Sequence, residues 1–569
     1  MTKRLILALL LSCSPLWATT YYVDNCVTVG SDRNKGTSTS TPWLTINKVN
    51  TSKFNPGDSI LFESTCTWRE QLTVPSSGSA GSPITFGAYG TGAQPIISGA
   101  NLFTSWTLSS GSVYYTSYST APNQVFEDGS RLTQNTTSSA SLTAGQWYLD
   151  TVNKWIWVYL TAGDDPSGHV MEASQRTYAI YGNSVSYVTV SAIEATEANT
   201  HGIEFSLGTG ILVTGISTVY NYGIGLQTVI TNVITITQST AAYNGGSGIY
   251  LYAPGTSLVD HVVAHDNAQL TAQSYAAGIN AGGVGNSGAT TIQYCVTYNN
   301  GLAISGVNSS GAGIWLDTAN NYSVVQYNLA YNNYHGGIDI DADNYATVIY
   351  NLSYGNHSAG AMATGIHIFA DAQTTMTGHQ VYGNTVYGND HMGMDVNGYT
   401  GGTSNGCTNN LIENNIVVGT TSGRNLSVTN GCQNTGGYGS GNVYTYNDFG
   451  NATSNFIQWG TGNYYSSYSS WETAAGSCGT SGCSHSVQAA PAFANAAASQ
   501  FWLASGSPAI DAGLNLGSPY NIGLMPGSTW PDSVVTGGQN AYGSGWEIGA
   551  FVYVPPVPPP SNLQVVKVN

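Results

Sequence analysis

Gly337-Ile338-Asp339-Ile340-Asp341 is the stretch that decides the fold. Apolar and outward residues alternate in it, which marks a strand with one buried face. The same phrase, Gly-Ile-x-apolar-x, recurs as Gly202-Ile203-Glu204-Phe205-Ser206, Gly223-Ile224-Gly225-Leu226-Gln227, Gly248-Ile249-Tyr250-Leu251-Tyr252, Gly313-Ile314-Trp315-Leu316-Asp317, Gly365-Ile366-His367-Ile368-Phe369 and Gly393-Met394-Asp395-Val396-Asn397. Repetition at intervals of about 20 to 35 residues marks a solenoid whose coils stack equivalent strands side by side. The outward positions form a ladder that changes from small and aromatic to acidic along the chain.

A second phrase lies one strand further round each coil. Val325-Gln326-Tyr327-Asn328, Val348-Ile349-Tyr350-Asn351, Val381-Tyr382-Gly383-Asn384 and Leu411-Ile412-Glu413-Asn414-Asn415 superimpose, which puts Asn328, Asn351, Asn384 and Asn415 on one line. Asparagine tolerates turn backbone angles and can bond the equivalent amide of the next coil, so this line turns a corner of the stack. Composition agrees: 70 Gly, 38 Tyr and only 7% charged residues leave few strong helix formers, and the chain should be almost entirely β. A solenoid grows by adding coils, so the 569 residues do not count domains.

Residues 1–18 read as an export signal: Lys3 and Arg4, an apolar run from Leu5 to Leu11, then Ser14-Pro15-Leu16-Trp17-Ala18. Cys13 after Leu10-Leu11-Ser12 offers a lipid-attachment box as the rival reading. Removing Lys3 and Arg4 changes the formal charge from −17 to −19, with 10 basic against 29 acidic residues. Nucleic acid and anionic lipid are therefore poor partners, and no other run spans a membrane. The expected product is a secreted monomer acting on an extracellular polysaccharide. Cysteine usage fits an oxidising compartment, with proximity pairing Cys26 with Cys66, Cys407 with Cys432 and Cys478 with Cys483. Cys295 is left over at the coil position that Asn328 holds in the next coil, a corner rather than a nucleophile.

The segment after the leader runs Tyr21-Tyr22-Val23-Asp24, Thr41-Pro42-Trp43, Phe54-Asn55-Pro56-Gly57-Asp58 and Gly81-Ser82-Pro83-Ile84-Thr85-Phe86. Near the other end stand Gln500-Phe501-Trp502-Leu503, Ser507-Pro508-Ala509-Ile510-Asp511 and Glu547-Ile548-Gly549-Ala550-Phe551. These segments resemble the entry and closing parts of secreted bacterial right-handed parallel β-helix proteins, the pectin-lyase-like superfamily of polysaccharide lyases, glycosidases and epimerases. The resemblance implies a fold and leaves the reaction open. The expected organisation is a leader at 1–18, an N-terminal cap and entry coils at 19–100, a small β-rich insertion at 101–178, β-helix coils at 179–465, C-terminal coils and cap at 466–554, and a Pro-rich tail at 555–569. Within the insertion, Trp155 and Trp157 sit at period two in a strand, a pattern that suits packing and also suits a sugar platform.

Chemistry is expected on the acidic part of the ladder. Coils ~4.8 Å apart and alternate residues ~7 Å apart place Asp317, Asp339, Asp341, His367 and Asp395 in one outward patch. Trp315, Tyr250 and Tyr252 stand beside it as candidate sugar-stacking rings. Paired carboxylates next to aromatic rings suit glycoside cleavage, one carboxyl protonating the leaving oxygen and another activating water or attacking carbon. Crowding of like charges should raise the pKa of one of them. Asp339 with Asp341 or Asp395 suits the ~6.5–9.5 Å of an inverting pair, and Asp317 with Asp341 the ~5–5.5 Å of a retaining one. The favoured assignment is Asp339 as acid, Asp341 or Asp395 as base, and His367 orienting them. His201, His335 and His391, each just before a strand, are expected at corners. A lyase would need a base and a cation; Arg424 is the only Lys or Arg between 177 and 566, so Ca²⁺ on Asp341, Asp343 and Asp371 would have to help. A non-catalytic glycan-binding or adhesin-like rod is the third reading.

Overall fold

The computed structural model describes residues 18–556 apart from position 29 and positions 271–275, 284–287, 303–310, 319–320, 342, 358–362, 371–375, 399–405, 422, 430, 433–438, 452–454 and 475–482. One coil runs His201–Ser206, Ile211–Thr214 and Ser217–Val219 before the next begins at Leu226–Val229. Each strand pairs in parallel with its equivalent one coil on. The stack builds sheets of 13, 14 and 11 strands, and one buried cluster runs through its interior from Val23 to Cys483. This is a parallel β-helix. No described helix is long and apolar enough to cross a membrane.

The glycine of the repeated phrase has a steric cause. A Cβ on Gly313 would lie 2.6 Å from the Gly337 carbonyl oxygen and 2.8 Å from Asn333 Nδ2, and Gly337 meets Gly365 and Asn356 in the same way. The asparagines in those contacts form a ladder of their own. Asn221, Asn244, Asn267, Asn300, Asn333 and Asn356 each donate an amide N–H to the carbonyl oxygen of the next, at 2.8–3.1 Å, and the line ends on Asn389 as acceptor. A second ladder joins Asn328, Asn351, Asn384, Asn415 and Asn447, every step 3.0 Å. It is the line expected from sequence; the first was not expected. Cys295 tops the second ladder, its N–H donating to Asn328 Oδ1 at 2.9 Å. Its buried thiol, pushed up to about 12 by burial, bonds the Gln293 carbonyl at 3.1 Å and is inert.

Two features of the stack differ from the sequence reading. The coil strand Ala277–Gly282 is an extra rung, pairing Ile279 with Ile249 and Ile314. Register also places Ile203 opposite Leu226, so the phrase in that coil begins at Gly225, two residues beyond Gly223. The shift is even and preserves which residues face out.

Short helices close the two ends. Ile46–Asn50 lays fully buried Ile46 and Val49 over the first coils, and Tyr468–Thr473 lays Tyr468 and Trp471 over the last. The segment beyond about residue 490 folds back along the flank. Tyr327 and Tyr350 hydroxyls donate to the carbonyls of Ile522 and Tyr520, and Trp530 Nε1 donates to the Tyr327 carbonyl. Between Ala100 and Ser174 the chain leaves the stack to form a four-stranded and a five-stranded sheet around Trp147, Ile156 and Val158. Arg69 ties this insertion down through Glu172 at 2.6 Å. Two disulfides, Cys26–Cys66 and Cys407–Cys432, match the proximity pairing. Cys483 is also disulfide-bonded, and Cys478 lies outside the described residues.

Candidate active site

Parallel register turns the repeated phrase into a column of outward side chains. Tyr250, Asn280, Trp315, Asp339, His367, Asp395, Ser427 and Gln458 follow one another, one per coil. The central three alternate acid, imidazole, acid. His367 Nδ1 lies 3.7 Å from Asp339 Oδ1 and His367 Nε2 3.8 Å from Asp395 Oδ2. All three are nearly dry, with Asp339 2%, His367 5% and Asp395 3% exposed.

Each acid has its own support. His335 Nδ1 bonds Asp339 Oδ2 at 2.8 Å, while the Asn397 amide donates to Asp395 Oδ2. Asp395 Oδ1, although buried, makes no hydrogen bond among the described residues. His335 reaches Asp339 because Gly336 lies between them: a Cβ there would stand 2.7 Å from Asp339 Oδ1. The expected crowding of carboxylates is therefore not what the fold builds, because an imidazole separates Asp339 from Asp395.

The remaining predicted residues are distributed around this core. Asp341 is half-buried one column over, in line with Phe369 and Asn397. Asp317 lies over Gly282 and turns its carboxylate back onto the N–H and hydroxyl of Thr318 at 2.8 and 2.9 Å. Its partnership with Asp341 as a retaining pair is thereby disfavoured. Tyr250 and Tyr252 are half-buried with ring centroids 6.0 Å apart, and burial together with the nearby Asp317 charge pushes Tyr250 up to about 12.

Trp315 corrects an expectation: it is only 5% exposed, packs against Ala277 and Ala312, and stacks on His335 at 6.0 Å. An outward position on a strand is not an accessible one when neighbouring side chains cover it. His335 is a second correction, since it serves Asp339 instead of a corner. His201 does bridge coils, its Nδ1 accepting the Ile224 N–H at 3.0 Å.

His391 lies beside the column. Burial and then Arg424 lower its pKa, so it stays neutral and accepts from Arg424 at 2.9 Å. Arg424 also bonds Gln458 Oε1 at 2.9 Å, which brings the one cation of the central chain to the site's edge.

For Ca²⁺, Asp341 remains half-buried on the outer face, while burial of Asp343 pushes its carboxyl up to about 8. Asp371 lies outside the described residues. Elsewhere, Glu127, Asp164 and His169 converge within 4.8 Å, but both ring nitrogens of His169 already face carboxylates at 2.7 and 3.0 Å. A cleft of about 470 Å³ between Thr420, Asn425 and Phe493 is lined by none of the column's residues.

No family model matches the chain. A 75-residue stretch is 41% identical to a lacto-N-biosidase of Bifidobacterium longum subsp. longum, covering 12% of this chain and only 5% of that protein. Among solved structures, XylC in complex with xylose aligns with a TM-score of 0.55 at 15% identity, over 70% of this chain and 76% of that one. The pectate lyase Pel9A aligns over 94% of this chain and 97% of its own at 14% identity, with a TM-score of 0.40. With the sheets described above, the likeness to XylC gives the class of fold: the chain is a parallel β-helix.

Proposed function

We propose that this is an exported glycoside hydrolase acting on an extracellular polysaccharide, with Asp339 and Asp395 as its acid and base. The observation that carries the reading is the column Asp339–His367–Asp395, one ionisable group per coil in a chain with only 7% charged residues. Two coil steps separate the acids by ~9.6 Å at the backbone, just above the ~6.5–9.5 Å between carboxyls that suits inversion, a gap that side chains leaning toward each other would close. Asp395, whose Oδ2 accepts from the Asn397 amide, is assigned as the base. Its Oδ1, buried and without a hydrogen bond among the described residues, is the oxygen assigned to take the proton. Asp339 shares a hydrogen bond with His335, a reservoir from which the leaving oxygen is protonated. His367 holds the two carboxyls apart. The likeness of one stretch to lacto-N-biosidase supports the hydrolase class.

The test is a proton-NMR time course on a cleaved oligosaccharide. The first-formed anomer should have the opposite configuration to the bond broken. Retention would remove Asp339 and Asp395 as an inverting pair.

A further inference from the structure

The insertion carries a second surface that the column does not use. Its five-stranded sheet has two unlike faces. Inward, Trp147, Ile156 and Val158 are at most 1% exposed and form the insertion's core with Leu132, Leu160 and Met171. Outward, the central strand Trp155–Tyr159 presents Trp155, Trp157 and Tyr159, all half-exposed. Register sets Tyr148 opposite Trp157 on one side and Tyr115 opposite it on the other, so three aromatic residues cross the sheet in one row. Tyr115 lies 4.6 Å from Trp155 and 4.8 Å from Trp157, centroid to centroid, and the two indoles are 5.6 Å apart.

The inner face already supplies the insertion's core, so the outer rings are not needed to build it. Cross-strand packing explains contact between the rings but not why five aromatic side chains remain half-exposed together. Their chemistry narrows the occupant. Hydroxyl and amide groups border the rings: Thr107 beyond Tyr115, Ser117 beside Trp155, and Gln146 opposite Tyr159. Asp150, opposite Trp155, is held below the ordinary carboxylate range by the backbone and side-chain N–H groups of Asn153, so that edge is negative. With a formal charge of −17 on the chain, an anionic ligand is disfavoured. Two strand spacings make the row only ~10 Å long. A stable protein interface needs about 800 Å² and roughly 20–30 residues per partner, far more than this patch provides. The rings stand at 35–68° to one another and so offer separate faces, which, edged by hydroxyl and amide groups, suit the apolar faces and equatorial hydroxyls of successive uncharged pyranoses.

We propose that the outer face of the insertion, centred on Tyr115, Trp155 and Trp157, is a binding platform for a neutral polysaccharide, separate from the Asp339–Asp395 column. The site holds the polymer by stacking and does no chemistry on it. It stands whether or not the column hydrolyses that polymer.

The test uses the full mature chain carrying Asp339→Asn and Asp395→Asn, so that no hydrolysis disturbs binding. The probes are soluble xylan, mixed-linkage β-glucan, galactan and galactomannan, followed by affinity electrophoresis and tryptophan fluorescence. At least one should retard the protein and change its emission. Adding Trp155→Ala with Trp157→Ala should weaken binding at least tenfold, and Trp157→Phe should weaken it less. Tyr115→Ala, on a neighbouring strand, provides the same reading should the double variant fail to fold by circular dichroism. Binding within twofold in folded variants would overturn the proposal. So would absence of binding to all four glycans, including the case in which the face instead mediates a self-association, seen by sedimentation, that the variants abolish.

Discussion

Asp339 owes its assigned role to its neighbours. His335 fixes one oxygen and His367 faces the other, so replacing the carboxyl removes a proton donor without removing a packing group. Asp339→Asn and Asp395→Asn should each lower kcat by at least about a hundredfold, the scale of general acid–base catalysis, with thermal midpoints close to the parent. His335→Gln keeps a hydrogen-bonding group near Asp339 but cannot carry a proton. It should lower kcat and displace the alkaline limb of the pH–rate profile, which reports the general acid, while KM changes little; an unmoved limb would reduce His335 to packing. At this scale the column was legible from sequence because alternation fixes which side chains face out, and the repeated phrase fixes which coil each belongs to. Trp315 was misread because parity reports direction and not cover. His335 was missed because it reaches Asp339 across a turn, although the Gly336-Gly337 pair, where other coils have one glycine at that point, marks the close approach.

The asparagine ladders are the element that holds register. Asn351 donates to the Val325 carbonyl at 2.8 Å and to Asn384 at 3.0 Å, and it accepts from the backbone and side chain of Asn328, both at 3.0 Å. Asn351→Ala would leave buried groups on both neighbouring coils unpaired, at a cost of roughly 2–5 kcal/mol. Chemical denaturation should show that loss; a change under about 0.5 kcal/mol, the range of ordinary surface substitutions, would mean that the ladder follows the stack without supporting it. The 328–447 line was visible because its tyrosine-asparagine phrase repeats with few gaps. The 221–389 ladder was not read, although Tyr298-Asn299-Asn300, Tyr331-Asn332-Asn333, Tyr354-Gly355-Asn356 and Tyr387-Gly388-Asn389 carry an equally regular phrase at the ends of their strands; only its first members, after Val219, Ala242 and His265, vary around it. Ala277–Gly282 escaped notice because its small residues dilute the apolar alternation that marked the other coils.

At the scale of the whole molecule, buried acids set the response to pH. Burial pushes Asp343 and Glu547 up to about 8, and Glu197 and Asp448 up to about 7. Unfolded, such groups titrate near 4. Between those values the folded chain holds more protons than the unfolded one, so stability falls as pH rises and levels off above about 8. His201 and His379, lowered to about 4 by burial, act in the opposite direction below about 6.5, but they are fewer. The thermal midpoint should be higher at pH 5 than at pH 8, and Asp343→Asn should reduce the difference; a midpoint that rises steadily from pH 5 to 8 would contradict this balance. The repeat and the resemblance of the two ends conveyed the solenoid. The return of the C-terminal segment along the flank could not be read the same way, because Tyr327, Tyr350 and Tyr382 look in sequence like surface residues of a corner. In the structure they belong to the cluster that Phe501, Leu524 and Phe551 cover.

The most direct test of the account is to incubate the mature chain with neutral and acidic polysaccharides, beside the Asp339→Asn/Asp395→Asn variant, and to follow reducing ends and the ultraviolet absorbance of unsaturated products together. The account predicts reducing ends without new absorbance, lost in the variant. New absorbance, or cleavage that survives loss of both carboxyls, would contradict it.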